Sequence, residues 1–387
     1  MRINFLSLLL STFIVVCCKS AKTHSVPTIA QLEAQLKNIE SHSALPGFAV
    51  AIVNQDGVVY QKGFGYANLE KKILYTPETI QPVGSVSKTF IALAIQKAIE
   101  QGHFTLDTKI NDILPFPVNH PKFPEKAITI RQLVTHTSGI LDNEIGYQKA
   151  YQNEKKPTIS LKEYLISYLT PKGTLYTSEN FSNQEPDIEY NYTNIGSALA
   201  AYLIEVKTKI SYADYVRQYI LDPLHMQDSH WFYESIKADQ YALLYNHVNK
   251  PYDFYSLVTY PDGGLRTSCH DLSLYLIEMI KGYTQEGSLL TGKSYQYMFS
   301  PQFEPTNKPA GFPEKYTNQS MFWTINRTGR IMHTGGDPGL SAFVSFDPQK
   351  QTGRILLINT EVEENEKAVQ QIKEITEILQ NVESHLN

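Results

Sequence analysis

Cysteine is nearly absent from this chain, with three in 387 residues: the adjacent pair Cys17-Cys18 and the isolated Cys269. Once an N-terminal leader is set aside, Cys269 stands alone, which excludes an intramolecular disulfide and a thiolate metal cluster. No Gly-x-Gly-x-x-Gly or P-loop pattern marks a nucleotide cofactor. Gly-x-Ser-x-Gly is missing too, which argues against an α/β-hydrolase. Basic charge is not in excess: 34 Lys and Arg against 39 Asp and Glu give a net charge of −5. That leaves no electrostatic footprint for nucleic acid. There is no internal repeat and no low-complexity segment. With 42% hydrophobic and 19% charged residues, composition is ordinary globular, and wholesale disorder is excluded. The length is ample for a large core and by itself suggests two or three domains.

What is present begins with an export signal. Arg2 precedes the apolar run from Phe5 to Val16, which is too short to span a bilayer comfortably and fits a signal-peptide h-region. The following Cys17-Cys18 resembles a bacterial lipoprotein cleavage site. Cys18 is the better lipidated residue because the small Cys17 precedes it. The reading is a signal peptide over 1–18, a tether over 19–27 and a single two-lobed domain over 28–387. It places the protein on the periplasmic face of a bacterial membrane through a lipid anchor, with plain secretion as the alternative.

Within the domain, Thr28 and Gln31 form a capping box for a helix with Ile29, Leu32, Leu36 and Ile39 on one face. Phe48 to Val53 reads as a buried strand. A turn at Asn54-Gln55-Asp56-Gly57 leads to a second strand from Val58 to Tyr66. The middle is mainly helical, with candidates at Ile128–Val134, Leu161–Leu169, Ile195–Val206, Tyr212–Leu221, Asp271–Ile280 and Ser294–Phe299. Between Asp142 and Asp187 it is polar and loop-rich. Strands return at Met321–Asn326, Arg330–Thr334, Ser341–Phe346 and Arg354–Thr360. A last helix carries Val369, Ile372, Ile375, Leu379 and Val382 on one face. The fold class is α+β: an antiparallel sheet built from the two chain ends and flanked by helices, with a large helical lobe inserted and one site between the lobes.

The chemistry centres on Ser85-Val86-Ser87-Lys88. A turn at Pro82 and Gly84 is followed by Phe90-Ile91-Ala92-Leu93-Ala94-Ile95, which predicts a buried helix from about Ser85 to Gln101, closed by Gly102. Residues three apart share a helix face, so the Ser85 hydroxyl and the Lys88 amine can meet at its N-terminus. The orphan N–H groups there favour negative charge, such as an acyl-transfer oxyanion. Apolar surroundings disfavour the charged ammonium, so Lys88 could take the serine proton. No other serine in the chain has a lysine three residues on. A bland alternative exists at each step: an N-cap serine with a surface lysine here, a packed tyrosine and an N-cap asparagine at Tyr192-Thr193-Asn194, and an edge-strand histidine at His333. Tyr192 and Asn194 nonetheless stand at the entrance of an apolar helix and can project into one cleft. Gly329 to Gly339 reads as a strand running into a glycine-rich turn that lets a substrate approach the backbone.

Taken together, Ser85 to Lys88, Tyr192-Thr193-Asn194 and His333-Thr334-Gly335 resemble the three boxes of the serine β-lactamase and penicillin-binding protein superfamily, in the branch related to class C β-lactamases. That branch includes D-alanyl-D-alanine carboxypeptidases and esterases. The stretches Ile128 to Gly139, Leu221 to Met226 and Gly263 to Thr267 agree, so the likeness runs from about Ile29 to Asn359. The resemblance implies roles. Ser85 is the acylated nucleophile, and Lys88 with Tyr192 moves its proton. Asn194 bonds Lys88 and the substrate, while His333, Thr334 and Gly335 line the substrate side. The backbone N–H groups of Ser85 and Gly336 form the oxyanion hole, and Tyr192 activates the deacylating water. No metal, organic cofactor, nucleic-acid partner or protein partner is implied.

The expected substrates are cell-wall peptides ending in D-Ala-D-Ala, β-lactams, and small esters or amides. An outright β-lactamase is the runner-up, and a non-catalytic binder of cell-wall peptides or penicillin the reading of another class. His333 stands where most β-lactamases carry lysine. Titrating near the usual ~6.5, it should hold a substrate carboxylate better as pH falls. Asp187 replaces the usual glycine ahead of the tyrosine box. His136-Thr137-Ser138-Gly139 imitates the third box but is read as structural. His225 and His230 are read as surface residues, and Tyr241, Tyr245, Tyr252, Tyr255 and Tyr260 as packing.

Overall fold

The computed structural model describes residues 28–233, 238–362 and 365–385. The leader, Cys18 and the tether lie outside the described residues. Eight strands form one antiparallel sheet: β1 (Gly47–Asn54), β2 (Gly57–Asn68), β3 (Ile73–Leu74), β4 (Tyr316–Gln319), β5 (Thr324–Asn326), β6 (Ile331–Asp337), β7 (Leu340–Asp347) and β8 (Thr352–Ile358). Their spatial order is β3-β2-β1-β8-β7-β6-β5-β4. The two chain ends meet where β1 pairs β8, with Phe48 opposite Ile358 and Asn54 opposite Thr352.

Both faces of β1 are buried, which is why its sequence reads as an unbroken apolar run rather than an alternation. Phe48, Val50 and Ile52 pack against two terminal helices, α1 (Ile29–Ser41) and α10 (Glu366–Glu383), through Leu32, Leu36, Ile372, Ile375 and Leu379. Ala49, Ala51 and Val53 face the main core instead. There the helices of the inserted lobe follow in order: α2 (Ser87–Glu100), α3 (Ile130–Val134), α4 (Glu144–Gln148), α5 (Leu161–Leu169), α6 (Asn194–Thr208), α7 (Tyr212–Val216), α8 (Cys269–Tyr283) and α9 (Gly292–Phe299). Small residues on this face of the sheet let helices approach closely. A Cβ on Gly353 would lie 2.7 Å from the Leu276 side chain of α8.

The elements depart from the sequence reading in instructive places. The Ser85 helix starts later: Gly84–Val86 is a 3₁₀ turn, and the α-helix proper runs from Ser87 to Glu100. Gly102 follows at φ +77°, the left-handed terminator expected. The helix expected over Tyr212–Leu221 loosens into a π-helical turn at Arg217–Leu221. The strand expected from Met321 begins only at Thr324, because Phe322 takes φ +53° and its N–H bonds the Val134 carbonyl instead of a strand. Ala368, not Val369, takes the buried first place on α10. Strand β4 and the helix α4 went unpredicted; both are short and carry no clear hydrophobic period.

Candidate active site

Three segments converge below the free edge of β6. Strand β5 pairs only Ile331 and Met332 of β6, so from His333 to Asp337 that edge has no strand neighbour among the described residues. Gly335 is why the turn bearing Ser85 can lie against it. A Cβ there would stand 2.0 Å from the Val83 carbonyl oxygen and 3.2 Å from the Ser85 nitrogen. On the other strand edge, Asp337 opposite Leu340 closes the hairpin around Pro338 and Gly339. Ladder alternation then turns the Gly336 N–H away from β7, toward the free edge.

Lys88 is fully buried. Its Nζ donates to Ser85 Oγ at 3.0 Å, to Asn194 Oδ1 at 2.6 Å and to the Asp262 carbonyl at 2.8 Å. Three acceptors satisfy the three N–H donors of an ammonium. The 3₁₀ turn supplies the alignment, since residues i and i+3 eclipse in that geometry. The turn is pinned to the Tyr260–Thr267 segment, with the Val83 N–H on the Leu265 carbonyl and Ser87 Oγ accepting from the Leu265 N–H at 3.1 Å.

Asn194 is free to face Lys88 because other residues cap its helix. Thr193 is the N-cap of α6, its Oγ1 accepting from the Gly196 N–H at 3.1 Å. Asp142 accepts from Thr193 Oγ1, from Asn194 N and from Ile195 N at 2.9, 2.7 and 3.0 Å. A carboxylate on those orphan N–H groups is favoured by the helix dipole. Asp142 sits some fifty residues before the motif it holds, so no local pattern announced it.

Tyr192 stays 42% exposed. Its ring, rather than its hydroxyl, lies over Lys88, with the centroid 5.0 Å from Nζ. The imitation box lies behind it: the His136 ring is 4.5 Å from the Tyr192 ring, and His136 Nδ1 accepts from the Thr193 N–H at 3.2 Å. His136 is buried, and burial, with the Lys88 charge adding to it, pushes its imidazole well below the usual range. Asp187 takes φ +75°, so the position that resembles a glycine site keeps a glycine-like backbone. The aspartate is held there by Gln132 Nε2 at 2.6 Å and Thr137 Oγ1 at 3.1 Å.

His333 overturns an expectation. It is buried on β6, its ring 6.4 Å from that of Tyr192. Nδ1 stands 2.7 Å from the Thr334 carbonyl oxygen, which can only accept, so Nδ1 carries the proton. Burial first, and the Lys88 charge second, push the imidazole down to about 3. It is therefore neutral over the physiological range, and a carboxylate-reading switch near its ordinary value is not available to it. His230 also departs from its surface reading. It is buried against the Tyr241 hydroxyl and pushed down to about 4 by burial, whereas His225 is exposed. Of the five tyrosines read as packing, Tyr252 is 37% exposed and the others are buried.

Asp262 was missed as a site residue. It immediately precedes the Gly263 to Thr267 stretch, and its carbonyl lies against Lys88 Nζ. Its side chain is buried, with Oδ1 accepting from the Tyr147 hydroxyl at 3.1 Å.

Comparison with known proteins gives the family and the fold. The family model described as beta-lactamase matches residues 30–377. The chain belongs to the beta-lactamase family. Protein flp of Staphylococcus aureus (strain MW2) is 25% identical over 349 residues, which are 88% of this chain and 65% of that protein. The chain thus spans a little under two thirds of that relative's length. Among solved structures, the octameric penicillin-binding protein homologue from Pyrococcus abyssi superposes with a TM-score of 0.70 at 26% identity, covering 86% of this chain and 73% of that one. The beta-lactamase/D-alanine carboxypeptidase from Pseudomonas syringae gives 0.69 at 18% identity, covering 89% and 97%; at that identity the likeness speaks for the fold alone. This beta-lactamase-family chain thus has the mixed fold of helices and antiparallel sheet expected from its sequence.

Proposed function

We propose that the protein is a serine hydrolase that cleaves ester or amide bonds through an acyl-enzyme on Ser85. The observation that carries this reading is the buried Lys88 Nζ at 3.0 Å from Ser85 Oγ, at a turn facing the free edge of β6. Once Lys88 has lost one proton, the hydrogen bond reverses and Ser85 Oγ–H donates to Nζ. Attack on the scissile carbonyl then transfers that proton as the Oγ–C bond forms. The N–H groups of Ser85 and Gly336 receive the oxyanion. Tyr192, exposed beside Lys88, passes the proton to the leaving group and later activates the hydrolytic water. Asn194 fixes Lys88 and meets the substrate amide or ester.

His333 favours the ester side of this range, because a neutral imidazole gives a substrate carboxylate no counter-charge. Small esters and amides are thus preferred over D-Ala-D-Ala peptides and β-lactams, and a penicillin should acylate slowly. The N-terminal run with Cys18 supports export as a lipoprotein. Intact-mass spectrometry with a fluorophosphonate, a penicillin and an activated ester tests the reading. Each adduct formed should be absent from a folded Ser85→Ala variant; undiminished labelling of that variant would refute the nucleophile. A persistent adduct with no turnover of any substrate would favour a penicillin or peptide binder instead.

A further inference from the structure

The three acceptors around Lys88 Nζ are all neutral oxygens, yet two carboxyls interact with its charge, that of Asp262 buried and that of Asp337 half-buried. Asp262 lends Lys88 its carbonyl, while its own Oδ1 takes the Tyr147 hydroxyl and the Thr259 hydroxyl lies beside its buried carboxyl. Asp337 Oδ1 takes the Tyr151 hydroxyl. Asp337 lies on the same face of β6 as His333, four residues away with Gly335 between them. Its Oδ2 comes within 3.8 Å of the point where a Cβ on Gly263 would stand, and the Gly84 carbonyl carbon lies 3.8 Å from that same point. The Tyr147 and Tyr151 rings meet edge-on at 5.8 Å. Together they make a continuous run of carboxyl, phenol, phenol and carboxyl under the nucleophile's turn.

As a purely structural device this run is a poor one. Two neighbouring carboxyls repel, and desolvation makes each costly to ionise. We propose that Asp262 and Asp337 are positioning residues that act through Lys88, supplying the negative charge beside its amine on which the pH dependence of acylation rests. The inference rests on the acyl-enzyme reading above. Asp262 faces Lys88, Asp142, Asp337 and Tyr147; Asp337 faces Lys88, Arg266, Tyr151 and Tyr255. On its other side Lys88 faces His136, His333 and Tyr192, the two histidines pushed down by burial. Lys88 is thus the cation that both aspartates sense, and Asp337 senses Arg266 as well. Burial lifts each of these carboxyls to about 7, and the Lys88 charge opposes that rise. Their ionisation therefore falls in the pH range where hydrolysis would occur.

The test is the pH profile of acylation, read as the rate of fluorophosphonate adduct formation. A nearby opposite charge moves a proton equilibrium by roughly 1–3 units, and sharing between two acids puts the expectation at the low end. Asp262→Asn and Asp337→Asn should each move the acid limb to lower pH by about one unit, which is about tenfold in relative rate below the wild-type midpoint. The double variant should move it further. Tyr147→Phe keeps the acid but withdraws a donor from its anion, so it should move the limb the same way by less, and it guards against misfolding of the Asn variants. Glu205→Gln is the comparison: this half-buried acid of α6 accepts from Tyr212 N and the Tyr260 hydroxyl, and its loss should lower thermal stability without moving the limb. Folded Asn and Phe variants that keep the wild-type limb would overturn the inference. A wild-type protein that forms no adduct would overturn the acyl-enzyme reading instead.

Discussion

Replacing His333 by asparagine should make the protein less sensitive to acid. In the fold the imidazole is pushed down to about 3 by burial and by Lys88, whereas in the unfolded chain it titrates near ~6.5. A base whose folded value is depressed binds fewer protons folded than unfolded. Its contribution is intact above the unfolded value and is lost as pH falls below it. Between about pH 8 and about pH 5, roughly 1.5 units lie below the unfolded value. At about 1.4 kcal/mol per unit, wild type loses about 2 kcal/mol through this residue alone. Asparagine keeps an N–H donor for the Thr334 carbonyl and does not titrate. The whole curve cannot be read directly, because His136 and His230 act in the same direction. Asp262 and Asp337, raised to about 7, act in the other: their contribution is present at low pH and lost as pH rises toward 7. The quantity that matters is the difference between wild type and His333→Asn in stability lost between the two pH values, from urea unfolding. A difference of about 2 kcal/mol is expected. Equal losses would mean that His333 charges in the fold at ordinary pH, and the carboxylate-binding role would return.

Other outcomes follow from the same geometry. Lys88→Ala and Tyr192→Phe should each lower turnover on the order of 10²- to 10⁴-fold. Their double variant should be little worse than the poorer single one, because they act as a unit; additive losses in ester hydrolysis would separate them. Gly335→Ala would drive a Cβ to 2.0 Å from the Val83 carbonyl oxygen. It should cut adduct formation by on the order of 10²-fold while circular dichroism stays native, the scale of a 1 Å misplacement. If Cys18 is lipidated, wild type should partition into detergent and Cys18→Ser should not; a wild type confined to the aqueous phase would leave plain secretion.

Local chemistry made much of this legible from the chain alone. Capping residues such as Thr28 with Gln31 and the apolar runs of β1 and α2 are short-range signals, and the resemblance carried by the three ordered boxes implies one cleft for Ser85, Lys88, Tyr192, Asn194 and His333. They also fixed the antiparallel sheet from the two chain ends, since β1 and β8 are too apolar to sit anywhere but the centre of a sheet. What the sequence could not supply was the environment of each group. Asp142 reaches the start of α6 across fifty-odd residues, Asp262 and Asp337 arrive beneath Lys88 from separate segments, and His230 is buried by Tyr241 and its neighbours. Most of all, His333 looks the same in sequence whether charged or neutral. Its state is set by how much water and how many charges surround it, which is a property of the packed structure and of no stretch of chain.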